Sequence, residues 1–455
     1  MNSFEKIQPA KPESLDAHWY ERFEKIGSFQ ANEYLDGDKL HREEEQRKFI
    51  SGEIINPNLD YPEINSDKLA SDEGALLQLK KDILNQESNE TVKQIYRWKL
   101  NEKIAELRML KATESGDMKR FKKYSEFVYG KPSPEVFAYT VNNLKEKATS
   151  KLSSKKPGLS QAAQELHELL PANLPTAEYK LPEEAAISQA REQTLEELQH
   201  LLPTEKVADA EYGPEEIREV FQAALESLQA DGWNIVVSNS SKTGISVDQE
   251  HKLIDIPESR KLAFSKLESL VAHEIGTHVA RRLNGERSQL QLLGLGLDRY
   301  EQGEEGIATM REQVLDDKIK DFSGLEGHLA VSLATGVDGV ERDFREVYTI
   351  LEKYFYFKSL LAGKSPEEAL TSAQTNAWKR SVRTFRGTDC ETKGTCLTKD
   401  MIYREGNIGV WDVINKNKSE LMRFNVGKYD PANPRHIWIL DQLGISESDL
   451  EELEK

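Results

Sequence analysis

The chain has 455 residues and a formal net charge of −18, with 31% charged and 38% hydrophobic residues. That is polar for a globular protein but outside the disordered class, and long enough for a large core or several domains. The acidic balance argues against a nucleic-acid binder and against attraction to acidic membrane surfaces.

Residues 1–148 read as an N-terminal helical region. Trp19, Tyr20 and Phe23 suggest a short amphipathic helix, and Asn56-Pro57-Asn58 and Tyr61-Pro62 mark turns. Leu77, Leu79, Ile83 and Leu84 form one helical stripe, and Ile95, Leu100, Ile104, Leu107 and Leu110 another. Residues 149–209 are rich in Ser, Lys, Pro and Ala and read as a flexible insert or linker carrying helices near 159–170 and 182–202. Residues 210–455 form the expected catalytic domain. Pro214 opens a helix with acids in its first turn. Strands follow at 233–237, 244–247 and 251–257, then a long helix at 261–284 and a second helix starting near Glu304. The fold class expected is α+β and mainly helical, with a small mixed sheet beside the long helix.

The two cysteines, Cys390 and Cys396, make no disulfide framework and read as reduced loop thiols. Met1-Asn2-Ser3-Phe4-Glu5-Lys6 lacks a signal-peptide pattern, and no apolar run reaches the length of a membrane span. The expected location is the cytoplasm, with no membrane insertion.

The chemistry concentrates in His273-Glu274-Ile275-Gly276-Thr277-His278, a His-Glu-x-x-x-His pattern, followed by Glu304-Glu305-Gly306. The usual zinc-peptidase pattern has two residues between Glu and the second His. The extra residue places the two histidines roughly 140° apart around an α-helix. A π-type turn brings them back to one side, and Gly276 lets the backbone take that distortion. His273 and His278 are then imidazole ligands for one Zn²⁺ per chain. Glu274 is the general base that takes a proton from a water activated by the metal. The third ligand is expected from the next helix, where Glu304 and Glu305 are both candidates; Glu305 is preferred because Glu-Gly-x-Ala resembles the Glu-bearing helix of zinc aminopeptidases, where the Glu before Gly binds the metal. Gly306 is expected to let the two helices approach closely.

His-Glu-Ile-Gly-Thr-His followed by Glu-Glu-Gly-Ile-Ala resembles the microtubule-associated tyrosine carboxypeptidase family, which includes prokaryotic proteins named for a Gln-Glu-Gly-Leu-Ala motif. Arg383-Thr384-Phe385-Arg386-Gly387, Leu397-Thr398-Lys399-Asp400-Met401-Ile402-Tyr403 and Gly406 carry the same resemblance, which spans roughly residues 210–430. Tyr129-Gly130-Lys131-Pro132 extends it more weakly into the N-terminal region. The first motif position is Glu304 where the relatives have Gln, which favours Glu305 as the ligand. The resemblance implies a zinc carboxypeptidase that removes a C-terminal Tyr or Phe from a peptide or protein, with His273, His278 and Glu305 on zinc and Glu274 as base. Such an enzyme needs a cation for the terminal carboxylate and a donor for the oxyanion. Arg383, Arg386, Lys399 and Tyr403 are the substrate-binding candidates, and strand 251–256 is expected to pair with the extended substrate. A zinc aminopeptidase or endopeptidase, and a non-catalytic regulatory protein on the same fold, remain open alternatives at this point.

Overall fold

A computed structural model describes residues 14–172, 174–203, 211–239, 244–316 and 319–445. Helices dominate. Their starts are fixed by side-chain caps in which Asp38, Asn65, Asn89, Asp117, Ser133 and Asn433 accept from backbone N–H groups of the first turn. Asp343 and Ser365 go further and form reciprocal capping boxes with Glu346 and Glu368. No helix among the described residues is long and apolar enough to cross a membrane.

Five short strands make two sheets. β1 (Glu211–Tyr212) pairs antiparallel with β5 (Leu262–Ala263). β2 (Asn234–Ser238), β3 (Ser246–Asp248) and β4 (Leu253–Pro257) form a mixed sheet in the order β2-β4-β3, parallel between β2 and β4 and antiparallel between β3 and β4. Ile254 and Ile256, two residues apart on β4, share one face and are fully buried. They join a core with Ile217 and Phe221 of helix Pro214–Ser227 and with Val271, Ile275 and Val279 of the long helix. Each buried isoleucine contributes about 1.5–3 kcal/mol. The central place of β4 corrects one expectation. Both of its edges are occupied, so this strand cannot add a substrate backbone; the strand bordering the groove is β3.

The long helix runs over 264–287 without a break and changes pitch in its middle. Phe264–Leu270 and Ala280–Arg287 are α-helical, and Val271–Val279 between them is a π-helix, as the His-to-His spacing requires. Two bonds show the wider winding: the N–H of Ala280 reaches Ile275 O, and Thr277 Oγ1 donates to Ala272 O at 2.8 Å, each five residues back. Leu198, from helix Glu184–Leu198, fills the space beside Gly276, where a Cβ would lie 2.7 Å from its Cδ1.

The glutamate helix starts at Glu301 rather than at Glu304 and runs to Asp316. Its Gly306 also has a different neighbour from the one expected. It faces helix Ile402–Lys416, where a Cβ on Gly306 would stand 2.4 Å from Gly406 O. Gly406 reciprocates against Gln302 O at 2.0 Å. A buried amide pair locks the register: Asn407 donates to Gln313 Oε1 at 2.9 Å, Gln313 donates to Asn407 Oδ1 at 3.1 Å, and Trp411 Nε1 adds a bond to Gln313 Oε1 at 2.8 Å. Gly306→Ala is expected to force these helices apart and cost about 1–3 kcal/mol. The thermal unfolding midpoint of the variant checks this, and an unchanged midpoint would refute the close approach.

The cores cross the boundaries read from composition. One joins Val136, Ala186 and Ala190 to Ile307, Met310 and Trp411. Another joins Phe49, Phe137 and Leu166 to Leu351 and Phe385. Cys390 and Cys396 are buried and unpaired in the second.

Candidate active site

The π-turn brings His273 and His278 to the same side, with ring centroids 4.9 Å apart and planes at 78°. Ligand-type atoms of His273, Glu274 and His278 lie within 4.8 Å of one another. The wide turn releases backbone carbonyls, and the protein satisfies one of them with a buried arginine. Arg311, from the glutamate helix, donates to Gly276 O at 2.7 Å and to Thr277 Oγ1 at 3.2 Å. Its other nitrogen pairs with Glu197 and with Asn425 Oδ1 at 3.0 Å.

The adjacent glutamates of the next helix face different partners. Glu304 Oε1 is 3.0 Å from His278 Nδ1 and 3.7 Å from Lys428 Nζ, and its other oxygen pairs with Arg281. Burial alone would raise the Glu304 carboxyl, but Arg281, Lys428 and His278 hold it down to about 2. An ionised carboxylate only accepts, so in this contact His278 Nδ1 donates to Glu304. Glu305 makes no such pairing. Its Oε2 lies 3.6 Å from His273 Nε2 and is buried without a hydrogen-bond partner among the described residues. Glu312 Oε1 approaches His273 Nδ1 at 2.7 Å, outside hydrogen-bond alignment.

Burial disfavours a charged His273, yet Glu312, Glu274 and Glu305 outweigh it and push the imidazole up to about 10. Burial, and then the nearby Glu305 and Glu312, raise the Glu274 carboxyl against the opposing histidines. The field at this spot favours positive charge. Two imidazoles, an orphaned carboxylate oxygen and a second buried carboxylate fit the nitrogen and oxygen preferences of zinc.

The site opens into a cavity of about 470 Å³ whose walls include His273, Glu274, His278, Glu304 and Glu305 together with Arg383, Arg386, Lys399 and Tyr403. Every site residue expected from the sequence therefore faces one space. The cations in it are differently committed. Arg383 grips Asp400 through Nε at 3.0 Å and Nη2 at 2.9 Å, and Asp400 also takes Arg380 Nη1 at 2.6 Å. Lys399 is paired with Glu301. Arg386 has Asp36 Oδ1 only at 3.9 Å, and its Nε is buried without a hydrogen-bond partner among the described residues. Burial and the Glu305 charge hold the Tyr403 phenol protonated, well above the usual tyrosine range.

Sequence reading missed Arg281, Lys428, Arg311 and Glu312. Three of these had a signal. Arg281 follows His278 by one helical turn, and Arg311 and Glu312 follow Glu304 and Glu305 by two, so each shares a face with a named site residue. Lys428 and the wall residues 30–42 carried none, because only folding brings them to the cavity.

Fold and site together define a mainly helical α+β protein in which two histidines and buried carboxylates line one cavity. Residues 162–448 match the family described as microtubule-associated tyrosine carboxypeptidase, and the chain belongs to that family. Membership implies tyrosine carboxypeptidase activity, hence a peptidase acting on a peptide or protein. Searches of curated proteins and of solved structures found no match.

Proposed function

We propose that the protein is a zinc carboxypeptidase that removes a C-terminal Tyr or Phe, with His273, His278 and Glu305 holding one Zn²⁺. The observation that carries this reading is the π-turn, which gathers His273, Glu274 and His278, with Glu305 Oε2 3.6 Å from His273 Nε2. A zinc ion held there supplies a water with pKa near 7 and polarises the scissile carbonyl. Glu274 takes the proton of the attacking water and returns it to the departing nitrogen. Glu304 orients His278, and Arg281 and Lys428 keep Glu304 charged so that it continues to do so. Tyr403, kept protonated by its burial, donates to the oxygen that becomes negative.

Of the three candidate cations Arg383, Arg386 and Lys399, Arg386 is the one that receives the substrate's terminal carboxylate, since Arg383 and Lys399 are engaged at short range by Asp400 and Glu301 and Arg386 has Asp36 only at 3.9 Å. Arg386→Met is expected to lower kcat/KM about 100-fold for free-carboxylate peptides, mostly through KM. An unchanged KM would move the role elsewhere.

The decisive experiment combines metal content with cleavage of peptides ending in Tyr, Phe, Leu or Glu, each with a free or an amidated C-terminus. One zinc per chain and release of Tyr or Phe only from free carboxylates is the expected result. Equal cleavage of amidated peptides would favour an endopeptidase instead.

A further inference from the structure

The metal end and the carboxylate end account for two parts of the cavity wall. A third part comes from the segment 28–37, of which Gln30, Asn32, Glu33, Leu35, Asp36 and Gly37 line the cavity, upstream of the stretch 162–448 that matches the family. This strap is pinned along its length. Lys103 Nζ donates to Phe29 O at 2.6 Å, and Ala31 N donates to Glu106 Oε2 at 3.1 Å. Leu35 abuts Gly387, where a Cβ would lie 3.1 Å from its Cδ1. The strap is therefore a built wall, placed directly beside Arg386.

Asn32 sits just before the 3₁₀ turn Glu33–Leu35 and lines the cavity. Its Oδ1 is buried and has no hydrogen-bond partner among the described residues. The neighbouring Arg42 donates to Asp60 O at 2.7 Å, lies 3.2 Å from Asp60 Oδ1 and stacks 5.4 Å over the Tyr61 ring, while its Nη1 has no hydrogen-bond partner among the described residues. A buried amide left unpaired is costly, and a ligand that pairs with it recovers that cost. A hydroxyl both donates and accepts, so it satisfies the Asn32 amide whichever way the amide is turned.

We propose that the strap is the specificity wall of this enzyme and that the Asn32 amide takes the phenol hydroxyl of a C-terminal tyrosine, distinguishing it from phenylalanine. The inference rests on the carboxypeptidase reading of the same site. A terminal Phe would bury the amide without a partner, and sites built to bond a hydroxyl reject analogues that lack it.

The test uses the full zinc-loaded chain and two readouts. One is the ratio of kcat/KM for matched peptides ending in Tyr and Phe. The other is calorimetric binding of N-acetyl-tyrosine against N-acetyl-phenylalanine, which needs no turnover. Both ratios are expected to favour Tyr by about ten-fold. Asn32→Leu should bring them close to one, and Asn32→Asp, which keeps an acceptor, should restore most of the preference. A merely structural loss would lower both substrates alike and leave the ratios untouched. Ratios near one in the unsubstituted protein, or unchanged in Asn32→Leu, overturn the assignment. Selective binding that responds to Asn32→Leu without cleavage of any peptide would instead sink the carboxypeptidase reading and leave Asn32 in place.

Discussion

Glu274→Gln is expected to keep one zinc per chain and to lose turnover by about 10³-fold, within the range that a positioned general base supplies. The substitution is nearly isosteric, and Glu274 lies in the wide part of the π-turn, where its neighbours Val271, Ala272 and Ile275 hold the backbone in the core. The histidines and Glu305 are untouched, so metal content should not change. Metal analysis together with single-turnover rates on a Tyr-ending peptide separates the roles. Unchanged turnover would remove Glu274 as the base. Lost zinc would instead make it a ligand, a role its closeness to both imidazoles also permits.

The second large effect distinguishes two adjacent glutamates. Glu304→Gln would leave Arg281 and Lys428, whose side chains are 0% and 2% exposed, without their shared counter-charge. Breaking a buried ion pair from one side costs about 3–5 kcal/mol. The loss should appear in the thermal midpoint of metal-free protein, with zinc affinity falling about 10–100-fold as well, because His278 loses its orienting partner. Glu305→Gln removes a carboxylate that already lacks a hydrogen-bond partner on one oxygen, so metal-free stability should hardly change while zinc binding collapses. Equal midpoints for the two variants would refute this division. The pH response follows from the same carboxyl. Its folded value is held down to about 2 against an ordinary 4.5. Glu304 therefore contributes stability that is complete above about pH 4.5 and is lost as the pH falls towards 2, on the order of 3 kcal/mol in all.

Much of this site could be read before folding because it is local. His273, Glu274, Gly276 and His278 lie within one stretch of helix, where residue spacing alone sets direction. The five-residue interval between the histidines demanded a π-turn, and Val271–Val279 is one. Glu305 was expected on resemblance rather than spacing, and the structure places it on the following helix, lining the same cavity. The strands were legible by alternation and β-branched content, but their order was not. Strand 251–256 looked available to a substrate because sequence shows a strand and not its neighbours, and pairing places it between β2 and β3. Gly306 signalled a close helix approach but not which helix, since a missing Cβ does not name what comes near it.

The sequence by itself determined that the two histidines and Glu274 share one stretch of helix and that the spacing needs a π-turn, because periodicity acts over a few residues; Glu305 and the downstream cations were expected from the family resemblance. Tertiary structure alone decided which of those charges remain available. All of them line the cavity, but Asp400 and Glu301 occupy Arg383 and Lys399, and Arg281 and Lys428 hold Glu304 against His278, whereas among the described residues Arg386 and Glu305 have no such short-range ion pair. It also brought the strap at 28–37 across more than two hundred residues of chain to complete the wall. The reason is physical: a side chain's role depends on its partners, and long-range partners are chosen by packing and desolvation that no local pattern encodes.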